Sequence, residues 1–131
     1  MAERSAVLLI EDEPNLLKLN MHVLEREGYY VLPARNLREA RGLIDGVAFH
    51  AAVLDMEPQD GECLDFCREL RKMRGIPVVF LISRDGEECE KTVADDYITK
   101  PYRLEQLTGS LGALLARTVS LENTHNYQEG K

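Results

Sequence analysis

The sequence predicts an open α/β fold: a five-stranded parallel sheet with helices on both faces. Two observations predict it. Short apolar runs alternate with helix-periodic segments from residue 6 to residue 117, and alternation of this kind builds βα units whose crossovers leave the strands parallel. The runs are continuously apolar, as in strands covered on both sides. A chain of 131 residues is long enough to close one such hydrophobic core.

Each element follows from local chemistry. Ala6–Ile10 (AVLLI) is a buried strand. Asp12, Glu13 and Pro14 open a helix, with acids near the positive end of its dipole and proline in the first turn. Leu16, Leu19, Val23 and Leu24 supply its apolar stripe, and Gly28 stops it. Tyr30–Ala34 is the second strand. Asn36 and Glu39 form a capping-box pattern for a helix running to about Asp45. Ala51–Leu54 is a third buried strand ending at Asp55, followed by a helix over Glu62–Arg74. Gly75 and Pro77 separate that helix from the strand Val78–Ile82. A short polar helix at Gly86–Val93, a strand at Tyr97–Thr99 and a helix from Leu104 to about Arg117 complete the series. The domain is therefore expected over 1–117, with 118–131 a polar linker or tail.

Composition excludes several classes. Sixteen Lys and Arg against 23 Asp and Glu leave a net charge of −7, which disfavours gripping nucleic acid through a basic face. No apolar run approaches the ~20 residues of a membrane span, and the N-terminus lacks a signal-peptide core. Cys63, Cys67 and Cys89 are odd in number and sit in helical surroundings, which fits small buried hydrophobes in a reducing cytoplasm better than a disulfide framework. Cys63 and Cys67 have one-turn spacing, but no His or third Cys completes a zinc site. His22, His50 and His125 are scattered and read as surface or loop residues.

In an open parallel sheet, ligands collect beyond the carboxyl ends of the strands. Strand one ends in Glu11-Asp12, strand three in Asp55, strand four in Ser83 and strand five in Lys100-Pro101. The second strand contributes only Ala34 and Arg35, so strand ends in general are not acidic here. Three clustered carboxylates repel one another unless a cation holds them, and an oxygen-only set suits Mg²⁺. A lysine beside them can neutralise phosphoryl oxygens, a serine hydroxyl can donate to one, and an aspartate can attack phosphorus. Singly, each residue has a plain reading. Asp12 and Asp55 cap or turn the chain, Ser83 and Lys100 are solvated, and Tyr97 is a half-buried strand aromatic. Their joint placement is what outweighs these.

The fragments VLLIEDEP, AAVLDMEP, VVFLIS and ADDYITKPY, in this order and each at a strand end, make residues 5–117 similar to the receiver domain of two-component response regulators. The ending DDYITKPYRLEQL most resembles regulators whose receiver precedes a winged-helix DNA-binding domain. The resemblance implies a flavodoxin-like sheet in the order 2-1-3-4-5. It implies Asp55 as acceptor of a phosphoryl group from a sensor histidine kinase, with Asp12 and Asp55 on Mg²⁺, Glu11 helping through water and the main-chain carbonyl of Glu57 as another ligand. Ser83 and Lys100 would hold the phosphoryl oxygens, Pro101 would follow a cis bond, and Tyr97 would swing inward once Ser83 is recruited. DNA would be reached only through an output domain that this chain lacks.

Several positions depart from the family pattern. In DMEPQDG the Pro and Gly come early, and the stretch from Ser83 to Lys100 is about five residues short, a loss of a turn or more of the fourth helix. Arg84 stands where a small residue is usual, and Val93 replaces a Gly. Gln106 and Ser110 occupy positions where an acid and an arginine usually make a charged dimer face, so any homodimer is expected to use another face. Two rival functions follow: a receiver-like interaction module working without phosphorylation, and a Mg²⁺-dependent phosphatase. The second rests on the Asp-x-Glu of Asp55–Glu57, which wants a second Asp on the first strand of its sheet and a lid that this chain lacks.

Overall fold

Five strands lie in the order β2-β1-β3-β4-β5, and every paired neighbour is parallel. They are β1 (Ala6–Glu11), β2 (Tyr30–Ala34), β3 (Ala51–Asp55), β4 (Val78–Ile82) and β5 (Asp96–Thr99). The described helices are α1 (Pro14–Arg26), α2 (Leu37–Ile44), α3 (Gly61–Arg74) and α4 (Leu104–Glu129). This computed structural model describes residues 4–55, 61–82 and 93–129, with the backbone alone for 73 and 118–129. The short helix expected at Gly86–Val93 lies outside the described residues apart from Val93, which is buried.

Because side chains alternate across a strand, the sheet sorts its own core. Leu8, Ile10, Leu54 and Phe80 point to one face, where Phe66, Cys67 and Leu70 of α3 and Ala40 and Ile44 of α2 cover them. Val7, Leu9, Val53 and Leu81 point to the other, beneath Leu24 of α1 and Leu107, Leu111 and Leu114 of α4. Cys63 and Cys67 are both buried, as small hydrophobes are. Pro33 sits on β2, an edge strand, where its missing N–H costs no central ladder bond.

Helix ends follow the local signals. Glu13 caps α1 by accepting from the N–H groups of Asn15 and Leu16. Asn36 accepts from the Glu39 N–H at 2.8 Å while the Glu39 carboxylate takes the Arg35 N–H, a capping box displaced by one residue. Gly28 and Gly75 adopt φ of 99° and 65°, the left-handed turn that ends α1 and α3.

Two expectations change. Leu16 and Leu19 are exposed; Leu24 of the expected stripe is buried, and it faces inward with Leu17, Asn20 and Met21. Positions 16, 19 and 23 and positions 17, 20, 21 and 24 both have helical spacing, so periodicity alone could not choose the face that meets the sheet. Helix α4 also continues past Arg117 to Glu129. No Gly or Pro interrupts residues 113–129, so a helix can propagate through a polar segment without an apolar face to demand it.

Candidate functional site

The β1/β3 register sets Glu11 directly beside Asp55. Both carboxylates are buried, at 2% and 5% exposure, on strands ~4.8 Å apart. Crowding shows in the electrostatics. Burial, and then the charge of Asp55 and a hydrogen bond with it, push the Glu11 carboxyl up from 4.5 to about 7, with Lys100 opposing only in part. A buried acid pair of this kind favours either a shared proton or an added cation.

Lys100 arrives from the neighbouring side. Its backbone N–H donates to the Ile82 carbonyl at 2.8 Å, which extends the β4/β5 pairing and fixes the residue just beyond β5. From there its ammonium pairs with Asp55 Oδ1. The Lys100–Pro101 peptide is cis, as the resemblance implied. The segment then turns so that Tyr102 packs against the α1/α4 core. Leu16, Asn20, Asp55, Lys100, Tyr102 and Leu104 line a cleft of about 290 Å³ over this end of the sheet.

The expected triad of acids is only partly assembled. Glu11 and Asp55 meet, but Asp12 lies exposed in the bend after β1. Among the described residues, no three His, Cys, Asp or Glu side chains converge closely enough to share one ion. Asp12 follows β1 in the bend before α1, and its charge still adds to the rise at Glu11. Glu57, Ser83 and Arg84 lie outside the described residues. The chemistry of the donor set still fits a hard cation, because Glu11 and Asp55 are oxygen donors whose mutual repulsion a cation would relieve, with Asp12 one residue away.

Tyr97 stacks on Phe80, with ring centroids 5.8 Å apart and planes at 15°. Its hydroxyl accepts from the N–H groups of Val93 and Ala94, at 3.2 and 3.0 Å. The ring is thus held by the turn that precedes β5. Beside it, Asp95 accepts the Val78 N–H at 2.8 Å and pairs with Arg71 at 3.2 Å and Arg117 at 3.8 Å. Asp96 takes a hydrogen bond from Ser110, and Gln106 accepts the Arg103 N–H at the start of α4. Both residues that replace the usual charged pair are therefore used inside the chain.

Sequence reasoning missed the roles of Asn20, Tyr102 and His50. Asn20 is buried at 5% and accepts a hydrogen bond from the Tyr102 hydroxyl. A lone amide at the centre of an alternative apolar stripe was the available signal for it. His50 is exposed, as expected of a loop residue, yet its Nδ1 accepts the Ala6 N–H at 2.9 Å, and nothing local in the sequence marks that contact.

Comparison with known proteins agrees with this geometry. The family model of the response regulator receiver domain matches residues 7–111. The transcriptional regulatory protein TrcR of Mycobacterium tuberculosis is 38% identical over 121 residues, covering 88% of this chain and 47% of TrcR. The nisin biosynthesis regulatory protein NisR of Lactococcus lactis is 30% identical, covering 85% of this chain and 50% of NisR. The chain thus spans about half the length of the curated relatives it matches. Among solved structures, a Francisella response regulator receiver domain superposes with a TM-score of 0.75 at 27% identity, covering 88% of this chain and 99% of that one. The response regulator TrrA of Thermotoga maritima, solved in complex with Mg²⁺-BeF, gives 0.72 at 26%, covering 84% and 98%. With the 2-1-3-4-5 parallel sheet and the acid pair at its carboxyl edge, the match over most of the chain means that the protein belongs to the response regulator receiver domain family.

Proposed function

We propose that this receiver accepts a phosphoryl group on Asp55 from a sensor histidine kinase, in a Mg²⁺-dependent step, and passes the signal to transcription. The observation that carries the reading is the convergence of Glu11, Asp55 and Lys100 from three different strand ends. A carboxylate oxygen of Asp55 attacks phosphorus, the bond from phosphorus to the donor imidazole breaks, and the imidazole leaves as the neutral base after protonation. The product is an acyl phosphate on Asp55. Lys100, already beside Asp55, balances charge on the phosphoryl oxygens. Glu11 and Asp55, with Asp12, would hold the metal, which when bound neutralises carboxylate and phosphoryl charge. The Glu57 carbonyl and Ser83 complete the proposed set, and Tyr97 is its proposed responder.

The solved relative TrrA in complex with Mg²⁺-BeF supports the metal. The relatives named as transcriptional regulators support the output. DNA would be bound by a segment outside this chain. No described helix is long and apolar enough to cross a membrane, and a cytoplasmic site of action is proposed with the kinase partnership. The chemistry is acceptance and slow loss of one phosphoryl group, not turnover of an ester.

Intact-mass measurement after incubation with Mg²⁺ and a small acyl phosphate tests this. One added phosphoryl group that disappears in Asp55→Asn is expected; an unmodified parent protein, or a modified Asp55→Asn, refutes it.

A further inference from the structure

Only three polar or charged residues are buried among those described: Glu11, Asp55 and Asn20. The first two form the acid pair. Asn20 is different, because it sits on the inward face of α1 between Leu17, Met21 and Leu24, where an apolar side chain would pack at no polar cost. An amide kept in such a place needs a partner, and its Oδ1 accepts from the Tyr102 hydroxyl at 3.4 Å.

That contact joins two segments 82 residues apart. One is α1, which follows the strand that carries Glu11. The other is the turn Lys100-Pro101-Tyr102, whose lysine reaches Asp55. Both Asn20 and Tyr102 line the cleft that Asp55 and Lys100 also line. Tyr102 is half-buried, and burial followed by the charges of Asp55 and Glu11 pushes its hydroxyl up to about 12. Its hydroxyl donates to the Asn20 Oδ1, an acceptor with no proton of its own.

We propose that Asn20 and Tyr102 are a positioning pair that ties the Lys100 turn to α1 and so sets the reach of Lys100 toward Asp55. Neither touches the reacting atoms; they act through Lys100. A side chain with many rotatable bonds loses entropy when held at one distance, and a fixed turn at its base lowers that cost. The inference rests on the proposed phosphoryl transfer for its rate consequence and on the Lys100–Asp55 contact for its structural one.

The test uses Tyr102→Phe, which keeps the ring and removes only the hydroxyl, with Asn20→Leu and the double variant. Phosphorylation by a small acyl phosphate with Mg²⁺ is followed by intact mass at several donor concentrations. Each single variant is expected to lower the limiting rate about two- to tenfold, the range of one ordinary hydrogen bond. The Mg²⁺ concentration giving half the rate stays the same, and the double variant is no slower than the worse single. Unchanged rates, or losses that multiply in the double variant, overturn the pair. A second readout needs no phosphoryl transfer: the NMR signal of the Lys100 ε-CH₂ group, which Asp55→Asn is expected to move because it removes the paired charge. In both single variants it is expected to shift toward its Asp55→Asn position. An unmoved signal overturns the pair even if the parent is phosphorylated, whereas a parent that takes no phosphoryl group while this signal shifts refutes the proposed function alone.

Discussion

Two pairs of acids sit on the same sheet and are treated in opposite ways. Glu11 and Asp55 face each other across β1 and β3, buried, with Lys100 beside them as their one positive partner among the described residues, and burial together with the Asp55 charge pushes Glu11 toward neutrality. Asp95 and Asp96, at the start of β5, are fully committed. Asp95 meets Arg71, Arg117 and the Val78 N–H, and Asp96 meets Ser110 and the Tyr97 N–H. The first pair keeps acceptor capacity for a ligand that brings positive charge; the second has spent its capacity on holding the chain. The sequence places the first pair at the carboxyl ends of the strands and the second before β5, and the partners each pair finds separate a reactive site from a structural one.

The contrast is sharpest at Lys100. Lys100→Ala is expected to slow phosphorylation of Asp55 by ~10²-fold, the loss typical of one preorganised charge at a reacting centre, while Mg²⁺ still perturbs the amide signals around Asp55. Equal phosphorylation time courses for parent and variant would remove the lysine from the reaction.

At the structural pair, Asp95→Ala should lower unfolding free energy by ~2–3 kcal/mol, because it strands the Val78 N–H and leaves Arg71 half-buried without its carboxylate. Denaturant melts give the value, and a loss near zero would mean that these contacts do not hold β5. The phosphorylation rate, by contrast, should change little.

The reactive pair can be separated by pH in metal-free buffer. Glu11 has a folded value of about 7 against 4.5, so between those limits the folded state holds a proton that the unfolded chain releases. The stabilisation is complete below 4.5 and is lost as pH rises through about 7. Glu11→Gln should therefore stabilise the protein by on the order of 2 kcal/mol at pH 8 relative to its effect at pH 4.5. Parallel stability curves for the two proteins would remove the strain assigned to this pair. Added Mg²⁺ should narrow the difference at pH 8 by stabilising the parent more.

The smallest effects belong to the outer rim of the second pair. Arg117 is 65% exposed at 3.8 Å from Asp95, and Arg117→Ala should cost less than ~1 kcal/mol. With Asp95 and Asp96 already paired inside the chain, a phosphoryl mimic should also fail to drive dimerisation across β5 and α4. Light scattering with and without beryllofluoride tests this, and a symmetric dimer joined through those two elements would disprove it.

Much of this was determined by the sequence itself. Every described strand, the caps at Asn36, Gly28 and Gly75, and the arrival of Glu11, Asp55 and Lys100 at one edge follow from local patterning, because a parallel sheet delivers all its carboxyl ends to one side. Local patterning had no means of choosing the buried face of α1, where two stripes of equal period compete and only contact with the sheet selects Leu17, Asn20 and Met21 beside Leu24. Nor could it foresee that Arg71 and Arg117 would converge on Asp95, or that Tyr102 would reach Asn20 across 82 residues. Those contacts join residues whose separation along the chain carries no periodic signal. Tertiary packing decided them, since a buried polar group must take whichever partner the folded chain brings within reach.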